Sequence, residues 1–139
     1  MLVTGHSKGT VAVWETVTGR MITTLQRDSR ATTKVINLSP DGRRLVSAGE
    51  DKTVRVWDTG TGKAVQTLMG HEAPVTTARY SPDGKLIASG DGAALIKLWD
   101  AGTGKHLADL KGHTSTVTWL AFNADGTRMV SGGADKLIK

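Results

Sequence analysis

The chain has 139 residues, with 18 Lys and Arg against 13 Asp and Glu, a formal net charge of +5 and no cysteine. The missing cysteine removes disulfides, thiolate metal sites and a cysteine nucleophile, and leans the expectation to a cytoplasmic setting; no apolar run approaches a membrane span, so a soluble protein is expected. The positive charge raises nucleic acid as a partner, because a basic surface gains affinity by releasing counterions from phosphates.

Taken in chain order, Met1-Leu2-Val3-Thr4 enters an alternating strand pattern at once, unlike a signal peptide. Two alternating runs around a short turn, LVTGHSKGTVAVWE, end at Trp14-Glu15. The pattern returns at 45–58 (LVSAGEDKTVRVWD), at 86–100 (LIASGDGAALIKLWD) and, without its tryptophan, at 129–139 (MVSGGADKLIK). Trp14, Trp57 and Trp99 are 43 and 42 residues apart, and a fixed period near forty with strand-like content marks a repeat architecture. The connectors repeat as well. Thr18-Gly19-Arg20, Gly60-Thr61-Gly62-Lys63 and Gly102-Thr103-Gly104-Lys105 follow the tryptophans as turns, and strands ending at Leu25, Leu68 and Leu110 come next. Gly70-His71 and Gly112-His113 precede a further apolar strand. That strand is closed by Ser39-Pro40-Asp41-Gly42, Ser81-Pro82-Asp83-Gly84 or Asn123-Ala124-Asp125-Gly126, where Pro presets φ and Gly accepts a positive one. Each period therefore holds four short strands. They are predicted at 34–38, 45–48, 54–57, 64–68, 75–80, 86–89, 95–99, 106–110, 117–122 and 128–131, with no helix longer than one turn.

Gly70-His71, Ser81-Pro82-Asp83-Gly84, Leu86-Ile87-Ala88-Ser89-Gly90 and Trp99-Asp100, recurring in one order, resemble the WD-repeat β-propeller family over essentially the whole chain. The resemblance implies an all-β fold of four-stranded antiparallel blades in an incomplete ring: a partial blade at 1–25, blades at 26–68 and 69–110, and a partial blade at 111–139. It also implies a buried network in each blade, joining the histidine of the Gly-His box, a Ser or Thr of the second strand, an Asp of the next turn and the tryptophan. Carried over, no blade is expected to own a full set. The first has Trp14 but Lys8 at the Asp position. The second has Ser47, Asp51 and Trp57 but Asp28 in place of His. The third has His71, Ser89 and Trp99 but Ala93 at the Asp position, with Asp91 two residues earlier as a possible substitute. The fourth has His113, Ser131 and Asp135 but no tryptophan. Cohesion is expected to lean on apolar packing.

Other chemistry is weighed on the same residues. The basic side chains recur at equivalent positions (Arg20, Lys63 and Lys105; Arg43 and Lys85; Arg55, Lys97 and Lys139) with Asp41, Asp58, Asp83 and Asp100 close by, which reads as a solvated mixed-charge rim and makes nucleic acid unlikely. The two Gly-Thr-Gly-Lys turns lack the earlier glycine and the following Ser or Thr of a phosphate-cradling loop. The histidines, His6, His71, His106 and His113, have no ligand spacing, so no metal or other cofactor is expected. Ser, His and Asp recur once per blade, which suits a scaffold rather than one active site, and no catalytic residue is assigned. Trp119 sits in a first strand where the copies have Thr77 and Val35; packing between blades is the expected role, a binding anchor at the central channel or upper rim the alternative.

The function expected is a non-catalytic scaffold for a protein or peptide partner. By the resemblance, binding falls to the loops before the first strands and between second and third strands, at Glu50, Glu72, Ala73, Pro74, Gly92, Thr114 and Ser115, with Trp119. The alternative is a regulatory or sensor segment of a multidomain enzyme, such as a kinase, protease or nucleotide hydrolase. Because 1–12 and 128–139 are equivalent stretches, the chain is expected to need the remainder of a longer propeller, or a second copy, to close its ring.

Overall fold

The computed structural model describes residues 2–5, 10–26 and 32–139, and every regular element among them is a β-strand. The first sheet runs β1 (Leu2–Gly5), β2 (Thr10–Trp14), β3 (Met21–Gln26). The second runs β4 (Thr33–Leu38), β5 (Arg44–Gly49), β6 (Val54–Asp58), β7 (Ala64–Leu68). The third repeats it as β8 (Val75–Tyr80), β9 (Leu86–Asp91), β10 (Ile96–Asp100), β11 (His106–Leu110). The fourth pairs β12 (Val117–Phe122) with β13 (Met129–Gly133), and Ile138 bridges to Gly132 on the far side of β13. All pairings are antiparallel, and the four sheets do not close into a ring. The ten strands expected from the sequence match β4 to β13 to within two residues at either end.

The repeat extends to irregularities. The last two strands of each of the first three sheets slip register just before Trp14, Trp57 and Trp99. The connection out of each first strand is set by an aspartate. Ser39 Oγ donates to Asp41 Oδ1 at 2.6 Å, the same carboxylate oxygen accepts the Arg43 N–H at 3.0 Å, and Gly42 takes φ +70°. Ser81, Asp83 and the Lys85 N–H repeat it. In the fourth sheet Asp125 accepts from the Thr127 N–H at 2.8 Å.

The core lies between the sheets: the second and third bury apolar side chains on both faces, the first and fourth on the face toward their neighbour. Val11, Val13 and Leu25 of the first sheet meet Leu45 and Trp57 of the second. Val46, Val54, Val56 and Leu68 of the second meet Val75, Ala78, Ile87 and Trp99 of the third. Ala88 and Ile96 of the third meet Val117 and Leu120 of the fourth. Each buried tryptophan thus serves the layer shared with the preceding sheet. Gly90 sets the spacing of the last layer: a β-carbon there would fall 2.6 Å from Val117 Cγ1, so only glycine lets β12 approach this closely.

Candidate functional site

The third sheet contains a continuous buried chain of hydrogen bonds. Trp99 Nε1 donates to Ser89 Oγ at 2.8 Å, Ser89 Oγ meets His71 Nε2 at 2.7 Å, and His71 Nδ1 meets Asp91 Oδ2 at 2.7 Å. The other Asp91 oxygen accepts the N–H groups of Ala93 at 2.9 Å and Leu95 at 3.0 Å. An indole N–H only donates, and burial favours the neutral imidazole, so His71 donates from Nδ1 to Asp91 and its Nε2 accepts from Ser89. Burial holds the His71 imidazole below its ordinary value, against the opposing pull of Asp91. A sequence-based expectation is corrected here: the third sheet does own a full set, because Asp91 supplies the carboxylate that Ala93 cannot.

The fourth sheet reaches the same end by another route. His113 Nε2 meets Ser131 Oγ at 2.8 Å, and His113 Nδ1 meets Asp135 Oδ2 at 2.9 Å. The Thr114 N–H donates to Asp135 Oδ2 at 2.9 Å and the Leu137 N–H to Oδ1 at 3.1 Å; led by the Thr114 bond, these hold the carboxyl down to about 2. By strand register Val75 faces Asp91 as Val117 faces Gly133, so Asp91 and Gly133 are equivalent, as are Ala93 and Asp135. A β-carbon at Gly133 would lie 2.5 Å from His113 Nδ1 and 2.7 Å from Asp135 Oδ1. One carboxylate occupies each site, reaching the histidine either from the end of the strand or from the turn.

In the second sheet Trp57 Nε1 donates to Ser47 Oγ at 2.9 Å. Asp51 accepts the Thr53 N–H at 3.2 Å and lies 3.9 Å from Arg55 Nη2. In the first, Trp14 Nε1 donates to Thr4 Oγ1 at 2.9 Å. Thr4 was not singled out from the sequence, although LVTG against LVSA aligns it with Ser47. Lys8, Asp28 and His6 lie outside the described residues.

The residues expected to bind partners gather at one end of the sheets, except Trp119. Glu50, Glu72, Pro74, Gly92 and Thr114 are exposed and Ser115 is partly so. Backbone bonds tie each turn to the segment before its first strand: Glu50 N–H to the Thr32 carbonyl at 3.2 Å, Gly92 N–H to Pro74 at 3.0 Å and Ala134 N–H to Thr116 at 2.8 Å. Thr116 Oγ1 then donates to the Gly92 carbonyl at 3.3 Å, joining the third and fourth sheets at this end.

Residues 19–58, 62–100 and 104–139 each match the family model described as WD domain, G-beta repeat. The chain belongs to the WD-repeat family. No match was found among curated proteins. WD-repeat domains are in general non-catalytic modules that bind protein partners, and among the described residues of this one no group of three His, Asp or Glu side chains is placed to hold a metal ion. No helix of the described WD repeats is long and apolar enough to cross a membrane.

Two further expectations are corrected by the blades. Lys97 does not stand on a solvated rim: it is 7% exposed, because the register puts Asp109 directly opposite and Nζ meets Oδ1 at 2.8 Å. His106 Nε2 joins the same carboxylate oxygen at 2.7 Å, and its ring stands edge-on to Trp99 with centroids 5.4 Å apart. These pairings hold the Asp109 carboxyl below its ordinary value, the Lys97 bond most of all. Trp119 does not pack between blades. It is 49% exposed on the surface of the first strands, while Val117 and Leu120 of the same strand fill the interblade layer.

Proposed function

We propose that this chain is a non-catalytic scaffold, part of a larger WD-repeat ring, that binds a protein or peptide partner at the end carrying Glu50, Glu72, Pro74, Gly92, Thr114 and Ser115. The observation that supports this reading is the staple of Thr116 to Gly92, which joins exposed loops of two blades into one surface. Loops on a rigid strand scaffold present side chains without a large ordering cost, which is the physical basis of binding by loop ends. Further blades, from a longer chain or a second copy, would cover the sheet faces left open, because propellers close with about four to eight blades.

The test compares two ends of the same blades. Proteins cross-linked to the chain in a cell extract should be lost when Glu72→Ala is combined with Thr114→Ala and Ser115→Ala, and kept with Asp83→Ala and Lys85→Ala at the opposite end. Loss with both sets, or with neither, sinks the assignment of the loop end. An exposed face serving nucleic acid would instead show binding to random duplex DNA that falls steeply with salt.

A further inference from the structure

Trp119 is the tryptophan that the blade framework does not use. On β12 it faces Gly132, as Thr77 on β8 faces Gly90 and Val35 on β4 faces Ala48. The same three strands line a groove of about 300 Å³ at the end carrying Pro40 and Pro82, opposite the loop end described above. Its walls mix apolar side chains, among them Trp119, Leu38, Leu120 and Phe122, with polar groups of Asn37 and Arg79.

The polar groups of this groove share one character. Arg79 is the single charged residue lining it, and no carboxylate does. Its guanidinium donates from Nη1 to the Ala78 carbonyl at 2.9 Å and forms no ion pair among the described residues, which leaves most of its donors uncommitted. Asn37 Oδ1 accepts the Tyr80 N–H at 2.9 Å, which orients the amide and leaves Nδ2 as a further donor. The Trp119 indole N–H, a donor only, has no partner among the described residues. A half-exposed tryptophan beside an unpaired arginine is also the composition found at binding hot spots.

We propose that this groove takes an acidic peptide segment, a Glu or Asp carboxylate seated on the Arg79 guanidinium and a neighbouring apolar side chain laid against Trp119 and Phe122. The charge complementarity carries the choice: donors without acceptors fit an acceptor-only group, and the planar guanidinium matches a carboxylate in two parallel bonds. The proposal rests on the scaffold reading for the class of partner, but uses the other end of the blades.

The test uses the full chain, ¹⁵N-labelled, with its indole N–H signals assigned by Trp119→Phe. Acetyl-Leu-Glu-Leu-Glu-amide should shift the Trp119 indole signal. The glutamine analogue should bind at least about tenfold more weakly, since a hydrogen bond to a charged group is worth about a factor of ten or more. Arg79→Gln should erase the preference for the glutamate peptide, and Arg79→Lys, which keeps the charge and loses the fork, should retain part of it; both variants are checked for an unchanged urea midpoint. Equal affinity for the two peptides, no binding of either, or a preference undiminished in both variants overturns the proposal. A phosphoserine analogue binding about tenfold tighter than the glutamate peptide overturns the choice of a carboxylate. Shifts confined to residues 72–74 and 114–116 overturn the groove while leaving the scaffold reading intact.

Discussion

The third and fourth blades hold the same His–Ser pair against a carboxylate that comes from two different places in the chain. In the third, Asp91 ends a strand and Ala93 is small; in the fourth, Asp135 sits in the turn and Gly133 leaves the room it needs. What a buried imidazole requires is an acceptor at one point in space, since a buried N–H without a partner costs about 1–3 kcal/mol. The backbone position that delivers the acceptor is secondary, provided that the other position gives way.

The largest effect should come from the tryptophan that, of these two networks, only the third blade's reaches. Trp99→Ala removes a buried ring from the layer between the second and third blades and takes the indole donor from Ser89, and should cost about 3–5 kcal/mol in urea denaturation. Asp91→Ala leaves the His71 Nδ1–H and the Ala93 and Leu95 N–H groups unpaired and should cost about 2–4 kcal/mol. The comparison is sharpened by moving the carboxylate. Asp91→Gly with Ala93→Asp copies the fourth blade into the third and should recover at least about half of that loss; a double variant no better than Asp91→Ala would mean that the two routes are not equivalent. Gly133→Ala should cost about 1–3 kcal/mol, because its methyl group collides with His113 and Asp135.

Acid should separate the two blades more gently. His71 binds its proton less readily folded than unfolded, so its contribution is full above the ordinary imidazole value of about 6.5 and declines as pH falls through it. Asp135 follows the same sign lower on the scale: its carboxyl, held at about 2 when folded, contributes above the ordinary carboxylate value and loses that contribution as pH falls toward 2. Denaturation midpoints measured from pH 7.5 to 3 should therefore show a first decline below about 6.5 that is reduced in His71→Gln, and a second below about 4, shared with the other turn aspartates, that is reduced in Asp135→Asn. A profile unchanged by either substitution breaks the assignment. Smallest of all, Lys63→Ala and Lys105→Ala at exposed turns should stay within about 0.5 kcal/mol.

The repeat made most of the fold readable because each strand and turn is set by local rules used several times over. Alternation placed the strands, and Ser-Pro-Asp-Gly placed the connections whose aspartates accept their own turn N–H groups. The polar network was readable where motif and residue coincide, at His113, Ser131 and Asp135. It was left open in the third blade, where Asp91 stood as a possible substitute and enters the site from a different backbone position.

The sequence by itself determined the four-strand period, the positions of the strands and turns, and the residue types offered to each blade, because these depend on side-chain alternation and turn chemistry within a few residues. Tertiary structure decided what lies between blades. Gly90 closes the Leu86-Ile87-Ala88-Ser89-Gly90 run of its own strand, yet its role is to admit Val117 of the next blade. Lys97 reads as a surface cation, yet the strand register buries it against Asp109. Trp119 reads as core, yet Val117 and Leu120 already fill the layer and leave the indole on the inner surface. Each of these outcomes depends on a neighbour brought up by packing of whole sheets, and no pattern within one period encodes the distance at which two sheets come to rest.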